Sequence, residues 1–148
     1  VVEVAIKAFR NCQNLKELIL NHGLQKIGDD AFFDCTSIES ITFPSSITEI
    51  GNCAFGDCEN LREVVINDGL QKIGLSTFYG CTSLQGITFP LSITEIGNNA
   101  FENCINLMEL VLNDGFKKIG IDAFSPDFNL GEPLSAFPVK IFLNDGII

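Results

Sequence analysis

A β-rich solenoid built from turns of about 23 residues is the fold this sequence predicts, and three observations predict it. Phe9, Phe32, Phe55, Phe78, Phe101 and Phe124 recur at a constant interval of 23 residues. Cys12, Cys35, Cys58, Cys81 and Cys104 keep the same interval, as do Leu15, Ile38, Leu61, Leu84, Leu107 and Leu130. A longer period lies over the short one. "ITFPSSITEIGN" from Ile41 returns as "ITFPLSITEIGN" from Ile87, and "NHGLQKIG" from Asn21 returns as "NDGLQKIG" from Asn67, each 46 residues on. Self-similarity at a fixed period of this length marks a stack of repeats, each burying its apolar face against its neighbours.

Within one turn, represented by Cys58 to Gly80, the elements follow in order. Leu61, Val64 and Ile66 have the spacing L-x-x-L-x-L, and alternation with β-branching around Val64 to Ile66 predicts a short strand. Asp68-Gly69 supplies a turn, since glycine takes positive φ at little steric cost. Leu70 to Ile73 alternates again and predicts a second short strand. "STFYGC" then returns the chain, with one helical or 3₁₀ turn expected, too short to stand alone. The columns Ile27-Gly28, Ile50-Gly51, Ile73-Gly74, Ile96-Gly97 and Ile119-Gly120 keep the register, and Ala8, Ala31, Ala54, Ala100 and Ala123 precede the phenylalanines, with Thr77 the exception.

These columns place a solenoid of five to six turns over residues 1–124. Beyond Phe124 the pattern breaks: Asp127 stands in the cysteine column, and "SPDFNLGEPLSAFP" carries three prolines. "IFLNDG" from Ile141 then matches "LVLNDG" from Leu110 at an offset of 31 residues. Residues 125–148 are therefore expected to form an irregular insertion and a final strand, serving as a cap or as the continuation of a longer array.

The pattern "ITFPSSITEIGNCAFGDC" resembles the BspA-type leucine-rich repeat over roughly residues 4–124. The resemblance implies a leucine-rich-repeat solenoid of the α/β repeat class, used for adhesion or protein–protein recognition and not for catalysis. It alone suggests an extracellular or cell-surface setting. The chain departs from the more familiar leucine-rich repeat in placing Gly23, Ser46, Gly69, Ser92 and Gly115 where asparagine or cysteine would follow the strand.

Strands stacked at ~4.8 Å make equivalent residues of adjacent turns direct neighbours. The column Lys26, Glu49, Lys72, Glu95, Lys118 then places opposite charges side by side, which one identical phrase per turn could not do. The outward strand positions give the candidate partner-binding face: Glu17, Ile19, Asn21, Thr42, Glu63, Val65, Asn67, Thr88, Glu109, Val111 and Asn113. This is either a solvent-facing β-branched ladder chosen for strand propensity or a semi-apolar groove with an acidic edge. A non-catalytic recognition module binding a protein through this face is the reading adopted, with a structural spacer or assembly subunit as the alternative.

Composition excludes several classes. With 19 acids against nine bases and a formal charge of −10, phosphate backbones are repelled, so no nucleic acid is expected. No apolar run approaches the ~18 residues of a membrane span. The start at Val1, without Met or a signal segment, suggests a fragment or processed chain, with further repeats of the same chain as possible partners. The 13 asparagines include no N-x-[ST] acceptor. The cysteine column should be a ladder of inward free thiols, because side chains standing parallel are poorly placed for disulfides, and a strict 23-residue interval is not metal-ligand spacing. Cys53 lies off that column and is the one candidate reactive thiol. His22 falls in a surface turn, and the Asn-Asp-Gly turns lack the carboxylate density of calcium loops. No catalytic set, metal site or cofactor is expected.

Overall fold

The structure, a computed structural model, describes residues 2–112 and 115–124 and the backbone of 140–143 and 146–147. Its strands are β1 (Val2–Val4), β2 (Leu24–Ile27), β3 (Ser40–Phe43), β4 (Glu49–Ile50), β5 (Glu63–Ile66) and β6 (Lys72–Ile73). They continue as β7 (Gly86–Thr88), β8 (Glu95–Ile96), β9 (Glu109–Val111), β10 (Lys118–Ile119), β11 (Lys140–Leu143) and β12 (Gly146–Ile147). The chain is a parallel β-solenoid with one longer strand in each turn from β3 onward. β3, β5, β7, β9 and β11 lie side by side in one parallel sheet, and β12 runs antiparallel to β11. The two-residue strands and their neighbours form a second edge in two sheets, β1-β2-β4 and β6-β8-β10. β11 pairs with β9 so that Ile141 faces Leu110, the same correspondence as the "IFLNDG" match. The rest of 125–148 lies outside the described residues.

Alternation in sequence becomes two faces in space. In β5, Val64 and Ile66 are buried while Glu63 and Val65 are exposed, and β3 repeats this with Ile41 and Phe43 inside. The phenylalanine column forms a continuous stack: successive centroids from Phe9 to Phe124 are 5.1 to 5.7 Å apart, with planes within 13°. Phe43 and Phe89 close on this stack edge-first, Phe43 against Phe55 at 5.5 Å and Phe89 against Phe101 at 5.8 Å. Offset and edge-on pairs of this kind contribute about 0.5–1.5 kcal/mol each beyond area burial.

The returns are not helical. No helix occurs among the described residues; each return is a run of turns carrying left-handed residues at two fixed positions. Lys7, Asp30, Cys53, Ser76, Asn99 and Asp122 form one such column, with φ from 51° to 59°. Asn11, Asp34, Asp57, Gly80 and Asn103 form the other, four residues later. Reversing φ at these points turns alternate amides toward the next turn instead of back along their own chain. Asp30, Phe32 and Asp34 accordingly donate to the carbonyls of Asn52, Ala54 and Gly56 at 2.8–2.9 Å. A helical turn would satisfy itself; this return satisfies its neighbour.

Two sets of glycines follow from this close stacking. A Cβ on Gly51 would lie 2.5 Å from the Asp29 amide nitrogen, and one on Gly97 would lie 2.7 Å from Gly74 carbon, so these positions after isoleucine must stay bare, while Gly74 has a looser 3.2 Å. Gly69, at φ 136°, would place a Cβ 2.2 Å from the Ser45 carbonyl oxygen, while its own amide donates to Ser92 Oγ at 3.2 Å. The Gly23 amide likewise donates to Ser46 Oγ at 3.0 Å. A glycine turn therefore fits against a serine turn, which adds a steric reason for the two-turn alternation to the electrostatic one.

Phe78 is fully buried with a stacked ring on each side, whereas Phe9 is 43% exposed. Phe78→Ala is expected to lower stability by about 3–5 kcal/mol, the range for deleting a buried ring. Phe9→Ala should cost distinctly less. Urea unfolding of both variants checks this, and equal midpoints would remove the stack from the core.

Candidate recognition surface on the strand face

The parallel register fixes which outward residues are neighbours. Thr42 faces Val65, Val65 faces Thr88 and Thr88 faces Val111 along one column. Ser40, Glu63, Gly86 and Glu109 form the next column, followed by the register position of Lys140. Thr42, Glu63, Thr88 and Glu109 are exposed, Val65 is 38% exposed, and Val111 is half-buried. The face is thus a β-branched stripe flanked by carboxylates on alternate turns.

Several predicted members behave differently. Glu17, Ile19 and Asn21 are exposed but belong to no strand. Leu18 and Leu20 pack on the core from an irregular segment, and that packing produces alternation without a ladder. Asn67 is exposed, yet its Nδ2 donates to the Phe43 carbonyl at 3.0 Å, tying its turn to the preceding one. Pro44, which continues the alternation of Ser40 and Thr42, is buried. Asn113 lies outside the described residues.

Two shallow depressions open on the face. One, of about 380 Å³, is lined by Glu17, Ile19, His22, Ser40, Thr42 and Asn67 among others. The second, of about 480 Å³, is lined by Glu63, Val65, Gly86, Thr88, Pro90 and Glu109 with the strand backbone. Each sits where a small residue, Ser40 or Gly86, adjoins the glutamate column. In the sequence, the signal for these two residues is their alternation with Glu63 and Glu109 at one repeat position.

The charged column lies on the other edge. Lys26 Nζ meets Glu49 at 2.7 Å and Lys72 Nζ meets Glu95 at 3.1 Å, with Lys118 in register beside Glu95. Glu3, in register with Lys26, extends the alternation by a turn that sequence reading missed. The bond to Glu49 raises the Lys26 pKa. These exposed pairs favour register more than stability. An asparagine ladder also exists, displaced to the return: Asp29, Asn52 and Asn98 accept from the amides of Asn52, Leu75 and Ile121 at 2.8–3.1 Å.

All six cysteines are free thiols. Cys35, Cys58, Cys81 and Cys104 are buried, and each Sγ donates to the phenylalanine carbonyl of the preceding turn, at 3.1–3.3 Å. Phe32 oxygen accepts from both the Cys35 amide and the Cys58 thiol, so the thiol occupies a lone pair that would otherwise be buried empty. Burial pushes Cys58 and Cys104 up to about 12 and raises Cys81 well above the ordinary thiol value. Cys53 is half-buried; burial and then the carboxylates of Asp30 and Asp29 raise its pKa, against a hydrogen bond from Ser76. That environment opposes the thiolate a nucleophile needs. Among the described residues no three of His, Cys, Asp and Glu converge as a metal site, and no helix is long and apolar enough to cross a membrane.

Comparison with known proteins agrees with this geometry. The model of the BspA type leucine-rich repeat region matches in six copies over residues 2–131. A leucine-rich cell surface protein from Faecalibacterium prausnitzii superposes with a TM-score of 0.74 at 29% identity, over 84% of this chain and 31% of that one. A leucine-rich repeat protein of T. pallidum superposes with a TM-score of 0.73 at 33% identity, over 86% of this chain and 64% of that one. A leucine-rich repeat protein from Eubacterium ventriosum, at 16% identity and a TM-score of 0.70, shares the fold over 90% of this chain and 45% of its own. The chain thus spans less than two thirds of each. No curated protein matches it.

The thiol ladder predicts an alkaline limit. Unfolded thiols ionise near pH 8.5–9, whereas Cys58 and Cys104 hold their protons to about pH 12. The native state then binds more protons than the unfolded one, so stability falls as pH rises, by about 1.4 kcal/mol per unit per thiol. Below about pH 8 both states are protonated and the effect vanishes. Urea midpoints measured from pH 8 to 11 should fall less steeply in Cys58→Ala/Cys81→Ala than in the wild type. Parallel slopes would show that these thiols ionise equally in both states.

Proposed function

This chain belongs to the BspA-type leucine-rich repeat family, and from that premise we propose that it recognises a protein partner through the sheet of β3, β5, β7 and β9, without catalysis. A repeat region of this family is a protein-interaction module. The observation that carries the proposal is the exposed column Thr42, Val65, Thr88 and its continuation to Val111, held in unbroken parallel register. The opposite face of the same strands is the closed core, so the outward residues are presented on a rigid surface whose ordering is complete before binding. Glu63 and Glu109 border the stripe and Glu17, Ile19 and Asn21 extend its edge. A solenoid uses such a surface to meet an extended stretch of partner. The Faecalibacterium relative is a cell surface protein, which supports adhesion at a cell surface as the setting.

Capture from lysate and culture supernatant of the source organism tests the reading, comparing wild type with Val65→Lys/Val111→Lys after confirming equal unfolding midpoints. A partner retained by wild type and lost by the variant is expected. Retention by both would exclude the strand face. No capture by either would favour the spacer reading.

A further inference from the structure

Gly86 differs from the glycines the fold requires. It has no positive φ, and an added Cβ would meet nothing nearer than the Glu109 carbonyl oxygen at 3.6 Å, an ordinary contact. It also lies in β7, paired on one side with Glu63 of β5 and on the other with Glu109 of β9. Glycine weakens a strand interior, through backbone entropy and the loss of a side chain to pack. The fold gains nothing from its bareness here, and a strand glycine of that kind marks close approach by another group.

What the bareness leaves open is defined. Glu63 and Glu109 stand two ladder steps apart, roughly 10 Å between their backbones, with Gly86 as the floor between them. The depression over it has a volume of about 480 Å³, and Val65 and Thr88 form its β-branched wall. Neither carboxylate belongs to an ion pair among the described residues. Arg62 precedes Glu63 in the chain, and Lys140 takes the register position beyond Glu109, on the side away from Gly86. The whole chain carries a formal charge of −10, which draws cationic partners toward it.

We propose that Gly86 keeps open a seat for an arginine side chain of the protein partner, its guanidinium lying between Glu63 and Glu109 and its methylene stem against Val65 and Thr88. This rests on the strand-face reading and specifies the partner's chemistry. Arginine fits better than lysine because its planar fork offers donors in opposed directions, toward both carboxylates at once, and its stem covers apolar surface.

The test uses the chain as it stands, labelled with ¹⁵N, and a capped Gly-Val-Arg-Val-Gly peptide followed by NMR, with lysine and glutamine peptides beside it. Saturable shifts centred on Val65, Gly86 and Thr88 are expected, strongest for arginine and absent for glutamine. Glu63→Gln/Glu109→Gln should weaken binding by about tenfold or more, the loss of two charge-assisted contacts. Gly86→Gln fills the seat with no backbone clash and should abolish the shifts while leaving the unfolding midpoint near that of the wild type. Equal shifts with the glutamine peptide, shifts spread over all acidic surfaces, or unchanged binding by both variants would each overturn the proposal. Capture of the cellular partner by Glu63→Gln/Glu109→Gln as efficiently as by wild type would reject the seat yet keep the strand face. Loss of capture in Val65→Lys/Val111→Lys is read separately, so the two claims fail apart.

Discussion

From Ser40 onward the described turns complete their backbone hydrogen bonding on the next turn, and the rest of the structure depends on that constraint. The strands do so by parallel pairing and the returns through left-handed residues that aim alternate amides outward along the stack. Once both halves of a turn are tied at the strand spacing, a residue gained or lost within either half breaks its ladder. The constant interval of the phenylalanines and cysteines follows, because a column is the projection of that fixed length. Ring stacking, thiol donation to phenylalanine carbonyls and bare glycines after isoleucine are what fits between layers held this closely.

The sequence shows the period, the faces of the strands and the inward cysteines directly, since each is a repeated local pattern. It shows the return poorly. Ala-Phe within a short polar frame suggests a helical turn by composition, and the decisive feature is the sign of φ at two residues. At Asn11, Asp34, Asp57, Gly80 and Asn103 that sign was legible, because asparagine, aspartate and glycine tolerate it. At Lys7, Cys53 and Ser76 it was not, since the inter-turn bonds impose it against residue preference.

The candidate surface divides in the same way. Period two correctly faced Thr42, Glu63, Val65, Thr88 and Glu109 outward, because facing depends on the residue's own strand. It could not tell that Glu17 to Asn21 lacks a ladder, nor that Asn67 is engaged with the Phe43 carbonyl, because pairing depends on residues a full turn away. Nor could it separate the kinds of glycine. Gly51, Gly69 and Gly86 look alike as letters; only the distance from each to the neighbouring turn separates a steric necessity from an open floor.

The fit of a glycine turn against a serine turn has a consequence for how such a chain changes in length. Removing one turn of 23 residues would bring glycine onto glycine and Lys26 beside Lys72, while removing two restores every contact. The self-compatible unit is therefore the pair, so a change in length that keeps these contacts comes in steps of 46 residues. Features on the strand face then recur at roughly 10 Å, two strand spacings. Lengthening the array adds marks to a ruler without changing its gradation, so descendants can differ in reach while reading the same spacing.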